Sequence, residues 1–253
     1  MWAAGASGQS SAVVYTNDFQ AYAAPVNAAG WSDTSSGGTK SRVDHLFKTW
    51  PDPQQGSGAN IVYGVKQATG NAVGGEPRSG RFSTYTGATF SGAGRFEYRG
   101  HFLRTSANGH MGVTFFSSLP DTLSGYVVGL RQEPFGAATM QLFTIGDGAL
   151  VGTVDSHFTP EVNRWYDFLI RADDLDGATN IRARFWLYGT QEPATFSIDA
   201  KDTNASRLIR GRIGIWSASN SDAYVDDLIA TSAAVERTSS SVTFIEEIGR
   251  AHV

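Results

Sequence analysis

The fold is decided by four segments, RWYDFLIR (164–171), IRARFWLYG (181–189), GRIGIW (211–216) and YVDDL (224–228). In each segment apolar and polar residues alternate with a period of two, which is typical of a β-strand with one buried face. A turn-forming pair, Asp176-Gly177, separates the first two segments. The pattern therefore predicts antiparallel strands joined by tight turns.

The same alternation extends towards the N-terminus, although residues 20–60 are rich in Ala, Ser, Gly and Pro and are predicted to form long loops. No internal repeat is found, which argues against a parallel β-helix. Two antiparallel sheets packed face to face, as in a jelly roll, fit the spacing. The predicted strands are Val13–Phe19, Ile61–Val65, Gly80–Thr84, Arg95–Arg104, Gly112–Ser117, Tyr126–Gln132, Met140–Ile145, Leu150–Val154, Tyr166–Arg171, Ile181–Tyr188, Gly211–Ser217 and Ala223–Ile229.

Composition narrows the possible partners. The 253 residues include 41% hydrophobic residues, enough for one sizeable core, and no cysteine, which excludes disulfides and thiolate metal sites. The net charge is −4 and no Lys/Arg run occurs, so we expect no nucleic-acid partner. No apolar stretch approaches the ~20 residues that a membrane-spanning helix needs, so we expect no membrane insertion.

The order of the four segments resembles the C-terminal half of the concanavalin A-like (laminin G-like) jelly-roll domains of secreted bacterial proteins. The resemblance is strongest over residues 95–230. It implies an all-β, two-sheet antiparallel β-sandwich that spans residues 13–235 as one domain, in a protein that is secreted or displayed at the cell surface.

The two ends do not share this pattern. Residues 1–12 are small and weakly apolar, and are predicted to be a signal-peptide remnant or a disordered leader. Residues 236–253 are predicted to be a non-native or disordered tail, because EIGRAHV at 247–253 resembles the translation of a sequencing adapter. Further domains of a longer native protein are therefore expected.

Alternation also predicts which side chains point away from the core. Sugars stack their apolar faces on aromatic rings, and arginine binds carboxylate or sulfate groups through its planar fork. A glycan-binding set that combines both side-chain types is therefore predicted on the outer side of the strands. It consists of Arg99, His101, Arg131, Arg184, Trp186 and Trp216.

The aspartates at the two ends of the domain predict a structural calcium ion at Asp18, Asp226 and Asp227. In the resembling family the first and last strands lie side by side, and the positions of Asp18 and Asp227 often flank calcium. Neighbouring carboxylates repel one another unless a cation lies among them, and calcium prefers oxygen ligands. The alternative is that Asp18 caps a turn while the Asp226 and Asp227 carboxylates are partly solvated.

Three functions remain open. The first is a secreted, lectin-like or adhesion module that binds an extracellular glycan. The second is a carbohydrate-active enzyme on the same fold. A glycosidase needs two glutamates at a paired spacing, which the glutamates of this sequence lack (Glu97, Glu133, Glu161 and Glu192). A polysaccharide lyase would combine His101 with Arg99 or Arg131. The third is a structural surface domain. No catalytic residue is assigned.

Overall fold

In the described residues, the period-two alternation produces strands and no helix. The computed structural model describes residues 12–35, 47–55, 60–66, 80–107, 110–131, 138–145, 153–217 and 222–232. The predicted leader, except for residue 12, and the predicted tail lie outside these ranges. The strands are β1 Val13–Asn17, β2 Trp31–Ser35, β3 Phe47–Pro51, β4 Ile61–Val65, β5 Arg81–Tyr85, β6 Phe90–Ser91, β7 Phe96–Arg104, β8 Met111–Ser117, β9 Gly125–Arg131, β10 Thr139–Ile145, β11 Val154–Asp155, β12 Trp165–Leu175, β13 Ala178–Leu187, β14 Ile198–Asp202, β15 Arg210–Ser217 and β16 Ala223–Ser232.

The strands form two antiparallel sheets. The front sheet has the order β14-β13-β12-β7-β16-β4-β3, with β1 also paired to β16. The back sheet has the order β11-β10-β9-β8-β15-β5-β2, with β6 also paired to β15. These two sheets confirm the predicted antiparallel β-sandwich.

The core between the sheets is built largely from aromatic rings. Phe96 on β7 of the front sheet stacks on Phe115 on β8 of the back sheet, with ring centroids 5.8 Å apart. Tyr98 and Phe168, on adjacent front-sheet strands, meet edge to face at 5.4 Å. Alternate residues of β7 and β13 belong to this core, and Leu187, which alternation also places on the inner side, is partly buried against it. The core members are Phe96, Tyr98, Phe102, Ile181, Ala183 and Phe185.

The first and last strands lie side by side, as the family resemblance implies. β1 pairs with the C-terminal part of β16, from Leu228 to Ser232, while β4 pairs with its N-terminal part, from Ala223 to Val225. Asp226 and Asp227 lie between these two partners, in a gap that we call the notch. A β-bulge occurs here, and Asp227 has a φ of 48°.

Three edge strands were not predicted, and neither was the short strand β6. β2 and β3 lie within the predicted loop 20–60, and β14 was also missed. All three are edge strands of their sheets, and each carries several polar residues, as edge strands often do. Their weak apolar alternation hides them in the sequence.

The turns are confirmed where the structure describes them. Asp176 and Gly177 have φ angles of 53° and 76° and connect β12 to β13 in a two-residue hairpin, as predicted. A second turn-forming pair in the sequence, Asp147-Gly148, also predicts a hairpin but lies outside the described residues. Among the residues that the structure covers, no helix is long and apolar enough to cross a membrane.

Candidate functional site

The strand register aligns polar residues across the outer face of the front sheet. Asp226 on β16 is opposite His101 on β7, His101 is opposite Asp167 on β12, and Asp167 is opposite Trp186 on β13. Because side chains on one face alternate, the next row on this face contains Arg99. It runs from Ile229 through Arg99 and Leu169 to Arg184. Four members of the predicted glycan-binding set therefore share one face.

A cavity of about 660 Å³ opens on this face, and we call it the Arg99 cavity. This volume lies within the ~300–1,000 Å³ range of ligand sites. Arg99, His101 and Trp186 all line it, together with Asp167 and Asp227. The cavity therefore combines a guanidinium group, a half-buried indole ring and carboxylates, which are groups that bind sugars.

His101 lies between two carboxylates. It forms ion pairs with Asp167 on one side and, from Nε2, with Asp227 Oδ2 at 3.1 Å on the other. Burial alone would lower the pKa of His101, but the bond to Asp167 and the negative charges of Asp167, Asp227 and Asp226 outweigh it and raise the pKa. The imidazole therefore holds its proton more tightly than in water.

Arg99 belongs to a group of three arginines around one carboxylate, next to the cavity. Glu97 pairs with Arg95, with Arg171 Nε at 2.5 Å and with Arg99 Nη2 at 4.0 Å. Burial raises the pKa of Glu97, but the bonds from Arg171 and Arg95 lower it by more than burial raises it. The net pKa of Glu97 is therefore below its ordinary value. Three guanidinium groups thus share one carboxylate, and the Arg99 side chain, which is 40% exposed, is the one that lines the cavity.

Arg184 supports the site instead of reaching into it. Its guanidinium pairs with Glu192, donates to the Pro193 carbonyl at 2.6 Å and lies 4.7 Å from the ring of Phe196. These contacts tie the segment after β13 to the sheet, next to Trp186. Its predicted contact with glycan remains a prediction.

A second cavity of about 270 Å³ adjoins the first, and we call it the Asp52 cavity. Asp18, His101 and Asp227 line both cavities, so the two are continuous at the notch. The other lining residues of the Asp52 cavity are Gln20, Asp52, Gln55, Asn60, Trp165, Tyr188 and Asp226.

The predicted calcium ligands meet at the Asp52 cavity, but protein groups already contact them. Asp226 Oδ2 accepts a bond from Asn60 Nδ2 at 2.9 Å, and Oδ1 accepts one from the Asp227 N–H at 2.9 Å. Asp227 pairs with His101, and Asp18 Oδ1 accepts from the N–H of Gln20 at 3.1 Å. Within the described ranges no three His, Asp or Glu side chains form a group that could hold a metal ion. As placed, these residues do not fit a calcium cage.

Among the carboxyl groups of the site, Asp226 has the largest pKa shift. Burial raises its pKa to about 7, and the neighbouring Asp227 raises it in the same direction, whereas the bond from Asn60 lowers it. A proton on Asp226 therefore relieves part of the repulsion that a calcium ion was predicted to relieve.

Trp216 and Arg131 lie on the back sheet, away from these cavities. Alternation places Trp216 correctly on the side opposite Ile213 and Ile215, but its side chain is 0% exposed. Arg131 is also buried, with its guanidinium 5.0 Å from the ring of Phe143. A fully buried ring cannot stack on a sugar, so the predicted role of Trp216 is contradicted, and Arg131 cannot join the front-face set.

Asp167, Trp165 and Asp52 line the cavities but were not in the predicted set. A signal existed for the first two, because Tyr166 and Phe168 face inward and so leave both neighbours on the outer face. The sequence contains no such signal for Asp52, because this residue lies between two prolines in a predicted loop.

The fold and the face together define the chain as a concanavalin A-like β-sandwich. No protein-family model matches the chain, and no curated protein matches it. Among solved structures, lectin II from Ulex europaeus aligns with a TM-score of 0.50 and 10% identity over 87% of this chain and 97% of that chain. Peanut lectin aligns with a TM-score of 0.47 and 9% identity, over 88% and 97%. A galectin-like protein of unknown function from Bacillus subtilis aligns at 0.47 and 12%, over 82% and 90%. At these identities the similarity establishes the fold alone.

Proposed function

We propose that this protein is a secreted or cell-surface carbohydrate-binding module, of the lectin-like or adhesion kind, whose site is the Arg99 cavity. The observation that carries the proposal is that Arg99, His101 and Trp186 line one open cavity of about 660 Å³ on the sheet face. The fold is shared with a lectin, lectin II from Ulex europaeus, which is consistent with this function.

The charge distribution favours a glycan that carries acidic groups. Arg99 shares its only described acidic partner, Glu97, with two other arginines, so its guanidinium is available to a carboxylate or sulfate. Trp186 supplies a ring on which a sugar can stack, and Asp167 and Asp227 can accept bonds from its hydroxyl groups. The cavity therefore suits an acidic sugar unit.

The test is a thermal melt with polygalacturonate, alginate, hyaluronate, chondroitin sulfate and neutral dextran. A ligand present at about 100 times its dissociation constant stabilises by ~2.7 kcal/mol, which is readily measured. We expect an acidic polysaccharide to raise the melting temperature, and Arg99→Ala to make the rise smaller. Arg164→Ala is the matched control, because Arg164 is similarly exposed but lies outside the cavity. No shift with any of these glycans would contradict the proposal.

A polysaccharide lyase is the second candidate, because His101 and Arg99 share a cavity as that chemistry requires. The two flanking carboxylates raise the pKa of His101 and so favour its protonated form, which cannot act as a general base. Release of unsaturated sugars, seen as new ultraviolet absorbance during incubation with alginate or polygalacturonate, would favour the lyase. Binding without product would favour the module.

Calcium remains a prediction that the same melts can check. Adding a chelator lowers the melting temperature if a structural calcium ion is bound, because removing a ligand of the native state destabilises it. The partnered state of Asp18, Asp226 and Asp227 leads us to expect little change.

A further inference from the structure

The Asp52 cavity has the composition of a binding site in its own right. It is bordered by the rings of Trp165 and Tyr188, and Tyr188 is 55% exposed, with its ring 4.6 Å from the His101 ring. The amide of Gln55 lines the same space, whereas the amide of Gln20, which also lines it, already bonds to Asn60 and to the backbone of Ile61. Exposed aromatic rings beside amide groups can stack on a sugar and hydrogen-bond its hydroxyl groups.

Asp52 gives an independent indication of a ligand. Its side chain is 1% exposed, and its Oδ1 accepts a hydrogen bond from the Gln54 N–H at 2.8 Å. Its Oδ2 is buried and has no hydrogen-bond partner among the residues that the structure describes. A buried carboxylate oxygen without a donor is costly, and such groups are rare in native proteins. A hydroxyl group bound in the cavity would supply a donor.

The two cavities differ in charge. Arg99 and three carboxylates, those of Asp18, Asp167 and Asp227, line the Arg99 cavity. Four carboxylates line the Asp52 cavity, those of Asp18, Asp52, Asp226 and Asp227, and no arginine is among its described lining residues. An anionic sugar would be repelled from the Asp52 cavity and attracted to Arg99. The shared wall at His101 and Asp227 makes the cavities neighbouring positions along one groove.

We infer that the Asp52 cavity is a second subsite, which binds an uncharged sugar unit next to the acidic unit held in the Arg99 cavity. The polysaccharide then crosses the His101–Asp227 pair and contains both acidic and neutral units. Tyr188 stacks on the neutral unit, and Asp52 accepts a bond from one of its hydroxyl groups. This inference rests on the proposed function, since it extends the glycan site at Arg99.

The experiment measures affinity against chain length by titration calorimetry. The probes are the single uronic acid and oligosaccharides of two and four units, cut from two alternating acidic–neutral polymers, hyaluronate and chondroitin, and from two uronate-only polymers, polygalacturonate and alginate. We expect affinity for an alternating series to rise about tenfold as the second subsite fills, the size of one or two net hydrogen bonds. The uronate-only series should show no such rise.

Variants separate the second subsite from the first. Tyr188→Ala and Asp52→Asn should remove the gain with length and leave the affinity for the single uronic acid unchanged. Leu175→Ala is the control, because Leu175 is similarly exposed and lies in neither cavity. Tyr188 is at the surface, so its replacement keeps the test valid even if Asp52→Asn fails to fold.

Each outcome decides between the proposals. Equal affinity at all lengths, or a gain that survives in Tyr188→Ala, overturns the second subsite and leaves the glycan site at Arg99. A gain as large with uronate-only oligosaccharides overturns the assignment of a neutral unit. A gain that disappears with chelator overturns direct contact between Asp52 and the sugar. Binding of none of the four series overturns both the subsite and the proposed function.

Discussion

The outer faces of the two sheets are built by the same alternation but meet different surroundings. On the front sheet, Arg99, His101 and Trp186 border an open cavity. On the back sheet, the equivalent positions hold a second apolar cluster around Trp216, which packs edge to face on Phe143 at 5.2 Å. Alternation therefore assigns a side chain to a face of a sheet, and the neighbours on that face decide whether it reaches solvent.

The back sheet is buried on both sides along its central strands. Every residue of β8, β9 and β10 is buried, including those that point away from the main core. The Trp216 ring lies over Gly129, where a Cβ atom would come within 3.0 Å of it. The back sheet thus has a second buried face, whereas the outer face of the front sheet carries polar side chains that line a cavity.

The largest expected effect, on the free energy of unfolding, comes from replacing Trp216 by alanine and comparing it with the same replacement at Trp186. Trp216→Ala should lower the free energy of unfolding by about 3–5 kcal/mol, because it removes a fully buried ring and leaves a cavity. Trp186→Ala should lower it far less and instead weaken glycan binding. Urea unfolding and calorimetry on both variants check the comparison. A Trp216→Ala protein that is stable but no longer binds glycan would contradict this assignment of stability to Trp216 and binding to Trp186.

The next effect concerns the guanidinium group at the cavity. Arg99→Ala should weaken binding of an acidic glycan by roughly 10- to 100-fold, the equivalent of a charge-assisted hydrogen bond of ~1.5–3 kcal/mol. Its melting temperature should remain close to that of the parent, because the side chain is exposed. Arg99→Lys should recover only part of the affinity, since an ammonium group cannot bind bidentately. Full recovery would show that only the charge matters.

A pH titration tests the electrostatics of the front face. The folded-state pKa values of His101 and Asp226 are both raised, so each group stabilises the protein at low pH and loses that contribution as pH rises through its folded value. We expect the melting temperature to fall between about pH 4 and pH 7 as Asp226 ionises, and to fall further above about pH 6.5 as His101 loses its proton. His101 is faced by Asp167 and Asp227, and Asp226 by Asn60. Melts of His101→Gln and Asp226→Asn should show a shallower fall, and an unchanged slope in both would contradict these shifts.

The smallest expected effect has the opposite sign to that of Arg99→Ala. Glu97→Gln removes the one carboxylate that three arginines share, so the guanidinium of Arg99 should attract an acidic glycan more strongly. The free energy of unfolding should change by less than ~1 kcal/mol, as is usual for partly exposed ion pairs. Calorimetry with the glycan that binds the parent protein measures the gain. Weaker binding would mean that Glu97 positions Arg99 instead of competing for it.

Sequence reasoning succeeded where a single strand decides the outcome. The two-residue spacing of Arg99 and His101 on β7 was enough to place both on the outer face. It failed where distant segments meet, because the burial of Trp216 depends on Phe82 and Phe143, which come from other strands. Asp52 joins the groove only because its loop returns beside the last strand, and no local pattern encodes that contact.

The notch between β1 and β4 also shows where this scaffold can be redesigned. Phe19 is fully buried and stacks on Tyr63 at 5.1 Å, so it anchors the segment that crosses the notch. Asp18 and Gln20, on either side of this anchor, are exposed and border the groove, as does Gln55. Varying these three positions in a library should therefore alter which ligands are captured while the fold is retained, much as exchangeable loops do on a rigid antibody framework.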